Sequence, residues 1–217
     1  MERASGVLMP VSSRPGPDGI GGFGWNAYDF VDFLASCKQH YWQILPLTTT
    51  SYGDSPYQSF SARAGNPNFI DFAELIEAGY LEQRDIDGVH LGSDPSNVDY
   101  GAIFGGRRQI LDRAAERFAA DKPADFDDFI QANEDWLIPY CEFMTVKEEC
   151  GLKAFWEWPA ELRTRGEASA KVCADHPAHM LYHQMTQYFF DRQWSRLKAY
   201  ANERDILIIG DLPIYVS

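Results

Sequence analysis

Several features of this sequence could carry chemistry. Asp211 directly follows the apolar run at 206–209, and an acid at the carboxyl end of a buried parallel strand faces the active side of an α/β barrel. The same acid could instead cap the next loop through backbone N–H groups. The second feature is residues 48–72, which mix small, polar and aromatic side chains without a period. A connection this long is usually functional or disordered, and its aromatic residues argue against disorder.

A glycine-rich run offers a second chemistry, because Gly19, Gly21 and Gly24 match the dinucleotide-binding pattern G-x-G-x-x-G. The match is poor. The run begins well beyond the preceding strand, and the next strand ends at Pro46 and Leu47 without an acid for a ribose. A flexible loop over a pocket is the favoured interpretation.

Three histidines offer a third chemistry, since His176, His179 and His183 share one face of a predicted helix. Imidazoles at this spacing could ligate a metal, but the acid of an H-E-x-x-H motif is missing. We therefore favour a capping or packing role and predict no metal site. A serine triad is not supported either, because no G-x-S-x-G occurs, and a phosphate-binding loop is absent.

Composition narrows the class of protein. With 45% hydrophobic and 24% charged residues the chain is an ordinary globular one. A net charge of −13 disfavours nucleic acid and anionic membranes as partners, so a neutral ligand suits the surface better. No apolar run approaches the roughly 18 residues of a membrane helix, no secretory signal is readable, and the four scattered cysteines suit a reducing cytosol. The aromatic content of 14% would suit sugar rings, although core packing explains it equally well.

The pattern of apolar residues predicts an α/β fold. A short apolar run at 7–11, a helical stripe from Ala27 to Cys37 and a second run at 41–47 form a βαβ unit with parallel strands. Residues 206–209 form a third strand. The long stretch between strands two and three is mostly helical, which predicts domains at 1–72 and 204–217 with a helical subdomain, 73–203, inserted between them.

Several motifs together resemble the 4-α-glucanotransferases known as amylomaltases or disproportionating enzymes. They are SRPGP at 13–17 with GIG at 19–21, YWQILPL at 41–47, GDSPYQSFS at 53–61, AGNP at 64–67 and GDLPIYV at 210–216. The resemblance implies the amino-terminal part of a (β/α)8 TIM barrel, with about three of its strands and a large, mostly helical insertion. It also implies a cytoplasmic enzyme of starch and maltose metabolism that needs neither metal nor organic cofactor.

The implied reaction moves a segment of an α-1,4-glucan or maltooligosaccharide to the 4-hydroxyl of another chain through a covalent glycosyl-enzyme. By resemblance, Tyr57 stacks on the sugar ring at the donor site and Ser55 lines that site. Asp211 supports it without being the nucleophile. Tyr52 and Tyr100 are implied to grip glucan at a secondary groove.

The resemblance has departures and one large gap. Arg14 and Arg63 stand where apolar or small residues are more usual, which puts the local packing of their loops in question. The nucleophilic Asp, the acid/base Glu and a third acid are implied on strands four, five and seven, whereas three strands are predicted here. We therefore expect the intact protein to continue beyond Ser217 and the 217-residue chain alone to be inactive.

Two other functions remain open from the sequence. A non-catalytic sugar-binding module could use Tyr52, Tyr57 and Tyr100 as an aromatic platform for α-glucans. A Rossmann-type oxidoreductase is a weaker possibility, since it depends on the glycine run alone.

Overall fold

A parallel sheet of three strands confirms the sheet predicted from the sequence. The computed structural model describes residues 3–51, 53–94 and 96–213. Its strands β1 (Gly6–Leu8), β2 (Tyr41–Gln43) and β3 (Leu207–Ile209) lie in the order β1-β2-β3, and both pairs are parallel. Each strand is shorter than its apolar run. For β1 the reason is Pro10, which has no N–H to donate to a ladder.

Eight helices occur among the described residues. They are α1 (Trp25–Ser36), α2 (Phe72–Glu77), α3 (Gln83–Ile86), α4 (Tyr100–Ala120), α5 (Phe126–Ala132), α6 (Glu134–Glu149), α7 (Glu167–Asp175) and α8 (Pro177–Asn202). Short 3-10 turns lie at Val11–Ser13, Pro67–Phe69, Phe155–Glu157 and Ala160–Leu162. In the described part of the chain, no helix combines the length and the apolar character needed to cross a membrane.

The chain divides into two compact units. The first consists of Met1–Ala114 with Phe189–Ser217, and the second is Ala115–Tyr188. The boundaries fall inside α4 and α8. The domain boundaries predicted from the sequence, with a helical subdomain at 73–203, stay a prediction. Of the predicted domain at 204–217, residues 214–217 lie outside the described residues.

The core of the first unit forms between the sheet and the helices that cover one of its faces. Trp42 on the central strand is fully buried and donates its Nε1–H to the Met9 carbonyl over 2.8 Å. Helix α1 buries Ala27, Val31 and Leu34, which lie on one face of the helix as their spacing predicts. The other residues of this core are Val11, Ile20, Phe23, Ile44, Phe69, Ile103, Leu197, Ala201 and Ile206.

The opposite face of the sheet carries apolar side chains that remain exposed. Side chains alternate along a strand, so Leu8, Leu207 and Ile209 point away from the face that buries Trp42. All three are among the exposed large hydrophobic residues. Because parallel sheets are normally covered on both faces, this face has the character of a barrel interior.

The second unit has an aromatic core of its own. Phe126 packs edge-on against Phe118 at 4.9 Å between ring centroids and against Tyr188 at 5.5 Å. The Tyr188 hydroxyl donates to Asp125 Oδ1 over 2.7 Å, which satisfies a buried polar group. Helices α6 and α7 pack together, and the Arg165 guanidinium pairs with Glu142 on α6.

Candidate functional site

The carboxyl ends of β2 and β3 bring the predicted site residues Ser55, Tyr57 and Asp211 to one edge of the sheet. The Met9 N–H donates to the Gln43 carbonyl over 2.9 Å, and the Ile44 N–H donates to the Ile209 carbonyl over 3.0 Å. These hydrogen bonds lie one residue beyond β1 and β2, so the segments that follow the three strands leave the sheet at the same level. Asp211 lies two residues after β3, at the level where the loop that follows β2 begins.

The loop after β2 is closed at its base. Thr48 and Gly65 form an antiparallel bridge, and the Thr49 N–H donates to the Ala64 carbonyl over 3.1 Å. The Asn66 N–H returns to the Leu47 carbonyl over 2.8 Å. The segment is thus a surface loop with adjoining ends, a type that often carries function.

One buried hydroxyl fastens the two sides of this loop. Ser59 is fully buried, and its Oγ lies 3.1 Å from the Oγ1 of Thr49. The same hydroxyl donates to the Ser61 carbonyl over 2.6 Å and accepts the Ser61 N–H over 3.2 Å. Ser59, two residues after Tyr57, therefore connects the first and the last part of the loop.

The tip of the loop is a tight turn that presents Tyr57. Gly53 and Asp54 have φ angles of 88° and 55°, in the left-handed region that glycine adopts freely and aspartate tolerates. The Gln58 N–H donates to the Ser55 carbonyl over 3.1 Å. The Tyr57 N–H donates to the Ser55 Oγ over 3.3 Å, so the predicted pair Ser55 and Tyr57 is in direct contact.

Tyr57 and Asp211 meet across the edge of the sheet. The Tyr57 hydroxyl donates to Asp211 Oδ2 over 2.7 Å, and Asp211 Oδ1 accepts the Leu212 N–H over 2.8 Å. The hydrogen bond to the carboxylate, more than burial, raises the pKa of Tyr57 above its usual value. Tyr57 therefore stays protonated at neutral pH, and 41% of its surface remains exposed to a ligand.

Tyr100, the first residue of α4, lies beside the same loop. It lines a cavity of about 30 Å³ together with Thr50, Asp54 and Pro56 of the loop and Pro10 after β1. This volume accommodates water but is far below the roughly 300 Å³ or more of a typical ligand pocket. The other predicted site residue, Tyr52, lies outside the described residues.

The glycine run is packed against neighbouring backbone and has no open nest for a phosphate. A Cβ on Gly21 would lie 2.0 Å from the Val11 carbonyl oxygen, and one on Gly19 would lie 1.9 Å from that of Leu91. The Gly21 N–H already donates to the Ser12 carbonyl over 3.2 Å. These glycines allow the backbone to pack closely. Ile20 within the run lines the small cavity beside the loop that follows β2, and the flexibility expected of this loop stays a prediction.

The two unusual arginines have different surroundings. Arg14 is buried, with its guanidinium carbon 5.2 Å from the centre of the Trp42 ring and a hydrogen bond to the Gly22 carbonyl. Burial lowers the pKa of Arg14 to about 10, so it remains charged at neutral pH. The loop thus accommodates Arg14 by stacking it on an aromatic ring. Arg63 is exposed at the loop after Tyr57.

Sequence reasoning missed Arg107, which positions the segments around the site. Its side chain is 1% exposed and donates to the carbonyls of Asp18 and Ile70. The guanidinium also lies over the Phe72 ring, 4.0 Å from its centre. A signal was available, because Arg107 interrupts the apolar stripe of α4 four residues after Ile103.

Comparison with known proteins decides the family. The sequence profile described as 4-alpha-glucanotransferase matches residues 9–217. This chain belongs to the 4-alpha-glucanotransferase family. The 4-alpha-glucanotransferase of Streptococcus pneumoniae serotype 4 is 53% identical over 219 residues, which cover 100% of this chain and 43% of the relative. The enzyme of the same name from Thermus thermophilus is 40% identical over 222 residues, covering 100% of this chain and 43% of the relative.

A solved structure of the 4-alpha-glucanotransferase family supports the fold. The amylomaltase from Streptococcus agalactiae, solved in complex with acarbose, superposes with a TM-score of 0.94 at 49% sequence identity. The match covers 100% of this chain and 44% of that one. The predicted fold class, three parallel strands of a partial barrel with a large helical insertion, is confirmed over this span. The chain spans less than half the length of the curated relatives it matches.

Proposed function

We propose that the whole protein is a 4-α-glucanotransferase that acts on α-1,4-glucans and maltooligosaccharides by a retaining double displacement. The observation that carries the proposal is the contact between Tyr57 and Asp211 at the carboxyl edge of the strands. Membership of the family supports the reaction, and the acarbose bound to the similar streptococcal amylomaltase supports a saccharide ligand. A Rossmann oxidoreductase is inconsistent with that family and with the packed glycine run.

Tyr57 provides a fixed aromatic surface for a sugar ring. Its backbone N–H is held by Ser55 and its hydroxyl by Asp211, so the ring is anchored at both ends. An aromatic face covers the C–H groups of a sugar and attracts positive charge. Because that charge develops on the ring during glycosyl transfer, the stacking is stronger in the transition state than in the bound substrate.

Asp211 acts as a supporting acid. One of its carboxylate oxygens accepts the Tyr57 hydroxyl and the other accepts the Leu212 N–H. Both oxygens are therefore engaged in holding the site, which disfavours attack on an anomeric carbon. The nucleophile and the acid/base of the double displacement are expected on later strands, so the 217-residue chain alone should not turn over substrate.

Tyr100 extends the proposed glucan surface. It lies at the side of the loop that carries Ser55 and Tyr57, next to Thr50 and Asp54. We assign it, together with Tyr52, to glucan binding outside the reacting sugar. The cytosolic location expected from the sequence stays a prediction.

The full-length natural protein tests the reaction directly. Incubated with maltotriose, it should produce a ladder of longer maltooligosaccharides together with glucose. Release of glucose without longer products would instead identify a hydrolase. Calorimetry with maltooligosaccharides that shows binding without any turnover would favour the non-catalytic glucan-binding module.

Two substitutions separate the ring of Tyr57 from its hydroxyl. Tyr57→Ala should lower kcat roughly 10- to 30-fold, because it removes the stacking surface, whereas Tyr57→Phe keeps the ring and should lose only a few-fold. Phe33→Ala removes another exposed aromatic ring, on α1, and should leave kcat unchanged. Equal rates for Tyr57→Ala and the natural protein would contradict the role given to Tyr57.

A further inference from the structure

Two acidic residues at the end of α6 face two histidines at the turn between α7 and α8. Glu149 is the last residue of α6, His176 lies between α7 and α8, and His179 is in the first turn of α8. All of them belong to the unit Ala115–Tyr188. The sequence showed the histidines on one face but no acid at the helical spacing of a metal motif. The fold supplies that acid from a different helix.

Two of the distances between these side chains match the spacing of neighbouring ligand atoms around a metal ion. Glu149 Oε1 lies 3.2 Å from His176 Nδ1 and 3.5 Å from His179 Nδ1. One ligand atom from each of the three residues lies within 4.8 Å of the other two. In a tetrahedral zinc site, bonds of about 2.0–2.1 Å place neighbouring ligand atoms about 3.3–3.5 Å apart.

The Nδ1 atom of His179 supports a ligand at this point. It is shielded from solvent and has no hydrogen-bond partner, although carboxylate oxygens of Glu148 and Glu149 lie at 3.3 and 3.5 Å. If this nitrogen is unprotonated, its lone pair faces the negatively charged carboxylates of Glu148 and Glu149, which is unfavourable. A divalent cation placed among these atoms would bind the imidazole nitrogen and the carboxylate oxygen together and so remove the repulsion between them.

We propose that Glu149, His176 and His179 form a binding site for a divalent transition metal of the zinc type. Two imidazoles and one carboxylate suit Zn²⁺, whereas Mg²⁺ prefers oxygen ligands alone. The stacked imidazole rings, 5.4 Å apart at 24°, already direct both Nδ1 atoms to one carboxylate. The negative end of the α6 dipole adds to the attraction.

Glu148 orients the site from outside. Its Oε1 lies 3.0 Å from Nε2 of the buried His183, and its Oε2 lies 3.3 Å from His179 Nδ1. Outer carboxylates of this kind fix the position of a ligating group and increase its affinity for metal. The bound ion would join the end of α6 to the start of α8 and so close the segment 150–175 into a loop. Metal should therefore stabilise this helical unit against unfolding.

Metal titration of the full-length natural protein, stripped with a chelator, tests the site. Calorimetry should show one Zn²⁺ per chain, and Zn²⁺ should raise the melting temperature, whereas equimolar Mg²⁺ should do neither. His179→Ala and Glu149→Gln should each weaken Zn²⁺ binding by at least the roughly 10- to 100-fold that loss of an outer partner costs. The matched control is His90→Ala, which removes an exposed imidazole of the other unit and should bind Zn²⁺ normally.

Two results would overturn the proposal. The first is the absence of saturable 1:1 binding by the natural protein, which would leave the cluster as an ion-pair network. The second is unchanged affinity in Glu149→Gln, which replaces one carboxylate oxygen of a partly exposed side chain by an NH2 group and so should not impair folding. A rise in melting temperature with Zn²⁺ that persists in His179→Ala would place the metal elsewhere and would count equally against the site.

Discussion

Ser59→Ala tests whether one buried hydroxyl holds the loop that presents Tyr57. The substitution removes the bond to the Ser61 carbonyl at 2.6 Å, the bond from the Ser61 N–H at 3.2 Å and the contact with Thr49 Oγ1 at 3.1 Å. No volume is gained, and the small space left by an oxygen atom adds little. The loss in stability therefore comes from polar groups that lose their partner.

The magnitude follows from the burial of those groups. A neutral hydrogen bond contributes about 1 kcal/mol, and a buried group left unsatisfied costs about 1–3 kcal/mol. Thr49 is buried and would keep an unpaired hydroxyl, whereas Ser61 is partly exposed and can bind water instead. We therefore expect a loss of about 2 kcal/mol, or about 4–8 °C in melting temperature for a chain of this size.

A double-mutant cycle provides the assay. Thermal unfolding compares three variants: Thr49→Val, Ser59→Ala and the double variant. The sum of the stability losses in the two single variants should exceed the loss in the double variant by about 1 kcal/mol. Ser195→Ala, on an exposed part of α8, is the control and should change stability by less than about 0.5 kcal/mol. Single losses that add up to the double loss within about 0.5 kcal/mol would show that the two hydroxyls do not interact.

Two further predictions concern packing and thiol reactivity. A Cβ on Gly65 would lie 2.3 Å from the Phe190 ring, so Gly65→Ala should lower the free energy of unfolding by about 1–3 kcal/mol. Gly105 in α4 has open space around it, so Gly105→Ala should raise the free energy of unfolding by about 0.5–1 kcal/mol. Thermal unfolding distinguishes the two, and a stable Gly65→Ala would contradict the packing. Burial raises the pKa of the Cys141 thiol well above its usual range. Iodoacetamide should therefore alkylate the exposed Cys37 first and spare Cys141 even as pH rises from about 7 to about 9, as followed by mass spectrometry.

The elements of this fold were predictable where each carries its own local pattern. In α4 the apolar residues at helical spacing are all buried, namely Ile103, Ile110, Leu111, Ala114 and Phe118. Helix α8 begins at Pro177, and proline is favoured at the first position of a helix. Strand lengths were overestimated, because apolar residues continue beyond the strand ends. Val11, for example, is buried in a 3-10 turn and not in β1.

The candidate site was predictable only in part. Nothing in the spacing of residues indicated that Tyr57 and Asp211 touch, since they are 154 positions apart and only the family resemblance placed them together. The same limit applied to the histidines, whose acidic neighbour Glu149 comes from another helix. Local patterns report on neighbours along a helix or a strand, whereas both clusters depend on tertiary contacts.

The separation of Tyr57 from Asp211 also has a consequence in time. During synthesis at about 5–20 residues per second, Tyr57 leaves the ribosome about 8–30 s before Asp211, because 154 positions lie between them. Tyr57 must therefore wait, with its ring exposed and its hydroxyl without this partner, until the helices in between have been made. Any chaperone or ligand that protects an exposed aromatic loop would act during that interval.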